Sequence, residues 1–147
     1  MAAAPTEASD APAPELRPIS VERLKKRPDF LAAAKALHCA RGAVVAQVRW
    51  RADETNLVRI GFTATKRIGG AVVRNRAKRR LREAARIVAP LHLRGGCDYV
   101  FIARSGTASR PWAPLLDDMK SALKRLAADL NSSLGEPPPP RLQTRPD

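Results

Sequence analysis

The chain has 147 residues and a formal net charge of +13, from 27 lysines and arginines against 14 acids. A surplus of that size hinders compaction and favours a polyanionic partner, and the length leaves room for one domain with a modest core. Two cysteines, Cys39 and Cys97, without a secretory signal exclude a disulfide framework, and no apolar run reaches membrane length.

Residues 1–19 are rich in alanine and proline, carry no periodic apolar positions and are expected to be disordered. The acids Glu7 and Asp10 and the lack of an apolar core argue against a secretory signal there, so a cytoplasmic protein is expected. Residues 20–130 read as the folded domain. Leu24-Lys25-Lys26-Arg27 lead into Pro28-Asp29-Phe30, where Pro28 suits a first helical turn and Asp29 complements a helix N-terminus. The spacing predicts a helix over Asp29–Leu37, with Phe30, Ala33, Ala34 and Leu37 as its apolar edge. Alternation predicts a strand over Ala43–Arg51, a turn at Asp53-Glu54-Thr55-Asn56 and a second strand over Leu57–Lys66, the two pairing antiparallel.

Gly69-Gly70 interrupt the most informative stretch of the chain. Between Lys66 and Arg86 stand nine basic residues (Lys66, Arg67, Arg74, Arg76, Lys78, Arg79, Arg80, Arg82, Arg86) and one acid, Glu83. Val73, Ala77, Leu81, Ala84 and Val88 recur at helical spacing, which predicts a helix from Ala71 to Ala89, ended by Pro90 and Gly95-Gly96. Arg74, Lys78 and Arg82 form a stripe beside that apolar face; Arg76 and Arg80 occupy a second side, Arg79 and Arg86 a third. A solvated helix face normally interleaves both signs. Here little within the segment neutralises the charge, which points to nucleic acid. Arginine offers a rigid planar fork to phosphate oxygens and base edges, and Asn75 adds both donors and an acceptor. A membrane-surface helix would carry Trp, Phe and Leu opposite its charges; alanine and valine suit packing on a sheet.

Asp98–Ala103 is a continuous apolar run of strand length and is predicted to be central. Arg104–Arg110 reads as a loop. Pro111–Leu130 reads as the last helix, with Leu115, Leu116, Met119, Leu123, Leu126 and Leu130 on one core-facing stripe. Residues 131–147, with four consecutive prolines, are expected to be a disordered tail. The order of helix, strands, basic helix, strand and helix gives an α+β sandwich.

A protein nuclease needs paired acid and base groups or carboxylates gathered on metal ions. His38 follows Leu37, and His92 lies between two leucines; neither has an evident partner. Asp53-Glu54 fit a turn and Asp117-Asp118 a solvated helix edge. Cys39, Cys97, His38 and His92 lack the grouping of a zinc site, and Gly69-Gly70 lacks the ending of a phosphate-binding loop. No catalytic residue and no metal ligand are predicted.

The stretch Gly61–Arg86, GFTATKRIGGAVVRNRAKRRLREAAR, resembles the signature of the bacterial ribonuclease P protein component. In that pattern a strand ends in Ser/Thr-Lys-Lys/Arg, Val/Ile-Gly follows, and a helix opens with Ala-Val-x-Arg-Asn-Arg and continues x-Lys-Arg-x-x-Arg. Thr65, Lys66, Arg67, Ile68, Gly69, Ala71, Val72, Arg74, Asn75, Arg76, Lys78, Arg79 and Arg82 fit it in order. The opening LKKRPDF is similar to the way the family starts its first helix, and the resemblance covers about Leu24 to Ala128.

The resemblance implies a single small α/β sandwich of α-β-β-β-α-β-α-like order, like the second domain of a small-subunit ribosomal protein. It implies a mixed sheet and a left-handed crossover through the basic helix. It further implies the protein subunit of an endoribonuclease whose active site and Mg2+ ions belong to a catalytic RNA, with precursor tRNA as substrate. On that basis Lys66, Arg67, Arg74, Asn75, Arg76, Arg79 and Arg80 would contact the catalytic RNA. Phe30, Gln47, Lys78 and Arg82 would line a cleft for the single-stranded 5′ leader. Ala34 stands where relatives often carry a second Phe, and Gln47 where many carry an aromatic, so leader binding is expected to lean on charge. A ribosomal-protein-like module or RNA chaperone shares the charge but needs neither motif. A DNA-binding helix would want a helix-turn-helix partner, whereas a strand and a diglycine precede this one.

Overall fold

In the computed structural model, residues 20–134 are described, Glu54 excepted. The predicted N-terminal tail (1–19) and residues 135–147 of the C-terminal one lie outside the described residues. Along the chain come β1 (Ser20–Arg23), α1 (Arg27–Ala34), β2 (Leu37–Arg41), β3 (Val44–Trp50) and β4 (Leu57–Thr63). A 3-10 turn (Lys66–Ile68) leads into α2 (Ala71–Val88); a second (Ala89–Leu91) precedes β5 (Cys97–Ala103) and α3 (Trp112–Leu134). The sheet order is β1-β4-β5-β3-β2. β5 runs parallel to β4 and antiparallel to β3. The fold is therefore α+β with a mixed sheet and α2 as the connection between two parallel neighbours, as expected.

Both faces of β5 are covered, which is why it reads as an unbroken apolar run. Cys97, Tyr99, Phe101 and Ala103 join Ala77, Leu81, Ala84 and Val88 of α2 and Leu115, Met119, Leu123 and Leu126 of α3 in the main core. Val100 and Ile102 face the other way, onto Leu24, Phe30 and Ala33. α2 and α1 thus pack on opposite faces of the sheet.

Four expectations need correction. β3 and β4 do not pair; β5 lies between them and pairs with both. The first helix ends at Ala34 rather than Leu37: Lys35 and Ala36 donate their backbone N–H groups to Ala32 O and Ala33 O, and Leu37 opens β2 opposite Val48. The strand that was expected to reach Lys66 stops at Thr63, opposite Ile102, and the next residues close a 3-10 turn through Ile68 N–H to Thr65 O and Gly69 N–H to Lys66 O. The last helix runs on to Leu134, so residues 131–134 are helical. β1 was not foreseen. Its four residues are exposed, and it pairs parallel with Leu57–Ile60 of β4.

Candidate nucleic-acid interface

α2 is anchored by Ala77, Leu81, Ala84, Ala85 and Val88, and this fixes where its cations point. Opposite the anchor lie Asn75, Arg79 and Arg86, all exposed; Arg86 is ion-paired with Glu83. Lys66 and Arg67, on the preceding turn, are also exposed. Gly69 makes the corner at φ +142°, a left-handed region open chiefly to glycine, with the Val73 side chain closing over it. Arg74 folds back and donates to Gly69 O at 3.0 Å.

The two flanks of α2 differ. On one, Arg76 Nε donates to Ala108 O at 2.9 Å, and Arg80 donates to Thr107 O at 2.5 Å and to Arg110 O. These bonds hold the loop between β5 and α3. Arg80 also lies over the Trp112 ring, 5.7 Å from its centroid. Burial and the neighbouring Arg76 charge both push the Arg80 pKa down. On the other flank Arg82 covers the Phe62 ring at 5.5 Å, and Phe62 stacks on Phe101. Lys78 is half-buried on the same side.

Phe30 and Gln47 belong to the opposite face of the sheet, so the four expected leader contacts do not share one wall. The backbone nevertheless links them. Phe30 seats its ring over Gly61, where an added Cβ would meet Phe30 Cε1 at 2.5 Å. The next residue, Phe62, faces Arg82. β1 pairs β4 only as far as Ile60, so beyond the buried Gly61 the residues Phe62 and Thr63 have no strand on that side among the described residues and form a free edge between the two groups. Gln47 sits in the same cross-strand row as Gly61, with Val100 between them. Ala34, at the missing second aromatic, is exposed.

Sequence reasoning missed a buried ion cluster under the N-terminus of α1. The fully buried Asp98 carboxylate accepts from Arg51 Nη1 at 2.7 Å and from Arg59 Nε and Nη2, both at 2.8 Å, with Arg49 at 3.5 Å. Arg59 and Arg49 also reach Asp29 of α1, at 3.2 and 3.7 Å. Arg51 continues to Asp53 and Leu57 O, tying down the β3–β4 turn. Bonds from Arg51 and Thr55 hold the Asp53 carboxyl down at about 2. The available signal was an aspartate opening an apolar strand, with Arg49-x-Arg51 and Arg59 at the matching ends of its neighbours.

The remaining polar candidates have structural work or stand apart. His38 is exposed on β2; His92 follows the second 3-10 turn, its pKa lowered by burial and by Lys124 and Lys120. Asp118 is not a solvated edge: it accepts from Ala43 N–H at 3.0 Å and Arg110 Nε at 2.7 Å, and so ties α3 to the β2–β3 turn. Cys39 and Cys97 are buried free thiols, and burial pushes Cys97 up to about 11. Among the described residues no three His, Cys, Asp or Glu stand together as a metal site. No helix among them is long and apolar enough to cross a membrane.

A family model described as Ribonuclease P matches residues 20–127. The chain belongs to the ribonuclease P protein family. It is 67% identical over 113 residues to the ribonuclease P protein component of Caulobacter vibrioides strain NA1000, covering 77% of this chain and 76% of that one. It is 55% identical over 107 residues to that of Ruegeria pomeroyi, covering 71% and 86%. The ribonuclease P protein of Staphylococcus aureus superposes with a TM-score of 0.60 at 26% identity, over 71% of this chain and 94% of that one. That of Thermotoga maritima gives 0.59 at 25%, over 70% and 96%. Membership in the ribonuclease P family places the chain in tRNA processing, as the protein component of an endoribonuclease that partners an RNA subunit.

Proposed function

We propose that the chain binds the catalytic RNA of ribonuclease P through α2 and guides the 5′ leader of precursor tRNA, in the cytoplasm, while the RNA performs the cleavage. One observation carries this reading. α2 buries an alanine-rich stripe and turns Asn75 and Arg79 outward beside Lys66 and Arg67, within the region that the ribonuclease P family model matches. Phosphate oxygens suit such a surface, and each neutralised phosphate also releases counterions. In this reading Lys66, Arg67, Asn75 and Arg79 touch the catalytic RNA directly. Arg74, Arg76 and Arg80 spend bonds on the chain's own carbonyls and present what remains of their guanidinium forks.

The leader crosses the free edge of β4, between Phe30 and Gln47 on one side and Lys78 and Arg82 on the other. Mg2+ is held by the RNA, because the outward donors of α2 are guanidinium and ammonium groups that repel a cation. Asn75 is the one neutral side-chain oxygen on the outward face of α2, and the Glu83 carboxylate is ion-paired with Arg86.

Cleavage of precursor tRNA at low magnesium, by the source organism's ribonuclease P RNA with and without the chain, tests the reading. Cleavage only with both supports it, and charge reversal at Arg79 should then abolish the stimulation. Cleavage by the chain alone would overturn the assignment of chemistry to the RNA. Binding without stimulation would leave a plain RNA-binding module.

A further inference from the structure

We infer that Trp112, with Arg76 and Arg80, forms a stacking site for one unpaired base of the RNA bound by α2. Trp112 is the first residue of α3 and stays 37% exposed although it is among the largest side chains in the chain. Arg80 lies against its ring at 5.7 Å and is itself fixed by two backbone carbonyls of the β5–α3 loop. One side of the indole is therefore backed by an immobilised cation, and the ring is held ready rather than free to collapse. RNA-binding surfaces present unpaired bases with such aromatic and guanidinium planes.

The surroundings supply the rest of a nucleotide's needs. Arg76 stands one turn before Arg80, exposed, with its Nε on Ala108 O and its terminal nitrogens in no hydrogen bond or ion pair among the described residues. Burial, and after it the neighbouring Arg76 charge, depress the Arg80 pKa, so the two like charges repel each other. A phosphate beside them would relieve that repulsion. Ser105, Gly106 and Ser109 of the loop are exposed, and open space surrounds Gly106, so a base has room to approach. A protein partner would meet the same two uncompensated cations, which favours the polyanion.

The inference rests on the proposed function, and the test separates the two. The chain has two tryptophans, so Trp50→Phe leaves Trp112 as the single indole reporter. This full-length variant is titrated with the source organism's ribonuclease P RNA while binding is followed independently by filter retention. Stacking predicts quenching of Trp112 emission that saturates with the binding curve. It also predicts about tenfold weaker binding for Trp112→Ala, nearly full recovery with Trp112→Phe, and an unchanged salt slope, since no charge is removed. Binding with unchanged Trp112 emission, or with wild-type affinity in Trp112→Ala, overturns the stacking site and leaves the proposed function intact. Failure of the wild-type chain to bind the RNA overturns both. An emission change on concentrating the chain without RNA assigns the ring to a contact between copies and also overturns it. The reporter keeps Trp112 itself, so a folding defect in Trp112→Ala would not blunt the test.

Discussion

At the scale of single residues, Asp98 bears the greatest structural burden. It is completely enclosed, yet three arginines converge on it, Arg49 from β3, Arg51 from just beyond that strand and Arg59 from β4, and Asp29 shares two of them. Breaking a buried pair from one side leaves charge without compensation, a penalty of about 3–5 kcal/mol. Asp98→Asn keeps the shape and removes the charge, so urea unfolding should shift by an amount of that order. A shift below about 1 kcal/mol would mean that water already screens the cluster. The lowered Asp53 pKa extends the same logic to pH. A carboxyl depressed in the fold contributes stability above its unfolded value near 4, and that contribution fades as pH falls towards 2. The one signal for these pairings, an aspartate at the start of an apolar strand, becomes useful only once its neighbours are known, because the partners lie 39 to 49 positions from Asp98. Net charge and motif spacing identify the cations that face outward, but not those that find a carboxylate.

At the scale of elements, the strongly periodic pieces were readable and the short ones were not. α2 and α3 each repeat an apolar face over many turns, and β5 is apolar on both faces, so all three were foreseen, α3 without its last four residues. β1 is an exposed edge of four residues with no alternation to detect. β2 was hidden because Leu37 continues the helical spacing of Phe30, Ala33 and Ala34. The contact of α1 with β4 also carries a prediction. Gly61 is needed for the close approach of Phe30: a methyl there meets the ring at 2.5 Å and the Leu24 Cβ at 3.2 Å. Gly61→Ala should therefore cost about 1–3 kcal/mol, the usual penalty of overpacking. A second change, Phe30→Leu, should recover part of it. If Gly61→Ala unfolds at the wild-type urea midpoint, the ring is not held where the fold places it.

At the scale of the whole molecule, charge outweighs aromatic surface. The surplus of +13 is spread over a chain with three Phe, two Trp and one Tyr, and Phe62 is already occupied by Phe101 and Arg82. If Lys78 and Arg82 supply two phosphate contacts to a single strand, the leader's share of affinity should fall with a log–log salt slope of about −1.4. Comparing precursor tRNA with leaderless tRNA between 50 and 200 mM salt should then show a loss of roughly sevenfold in that share. A flat ratio would assign the leader to stacking instead. The sheet order also has a consequence for synthesis. β3 has β2 beside it and β4 has β1 by Thr63, yet the strand that joins these two pairs begins only at Cys97. A nascent chain cannot join its two ladders into one sheet until that strand has emerged, so the basic helix between them leaves the ribosome before it has the complete sheet to lie on. The full sheet must then be completed late, through long-range pairings of the kind that slow folding. Until then its most highly charged segment is a polycation without its packing partner, among the cell's RNAs.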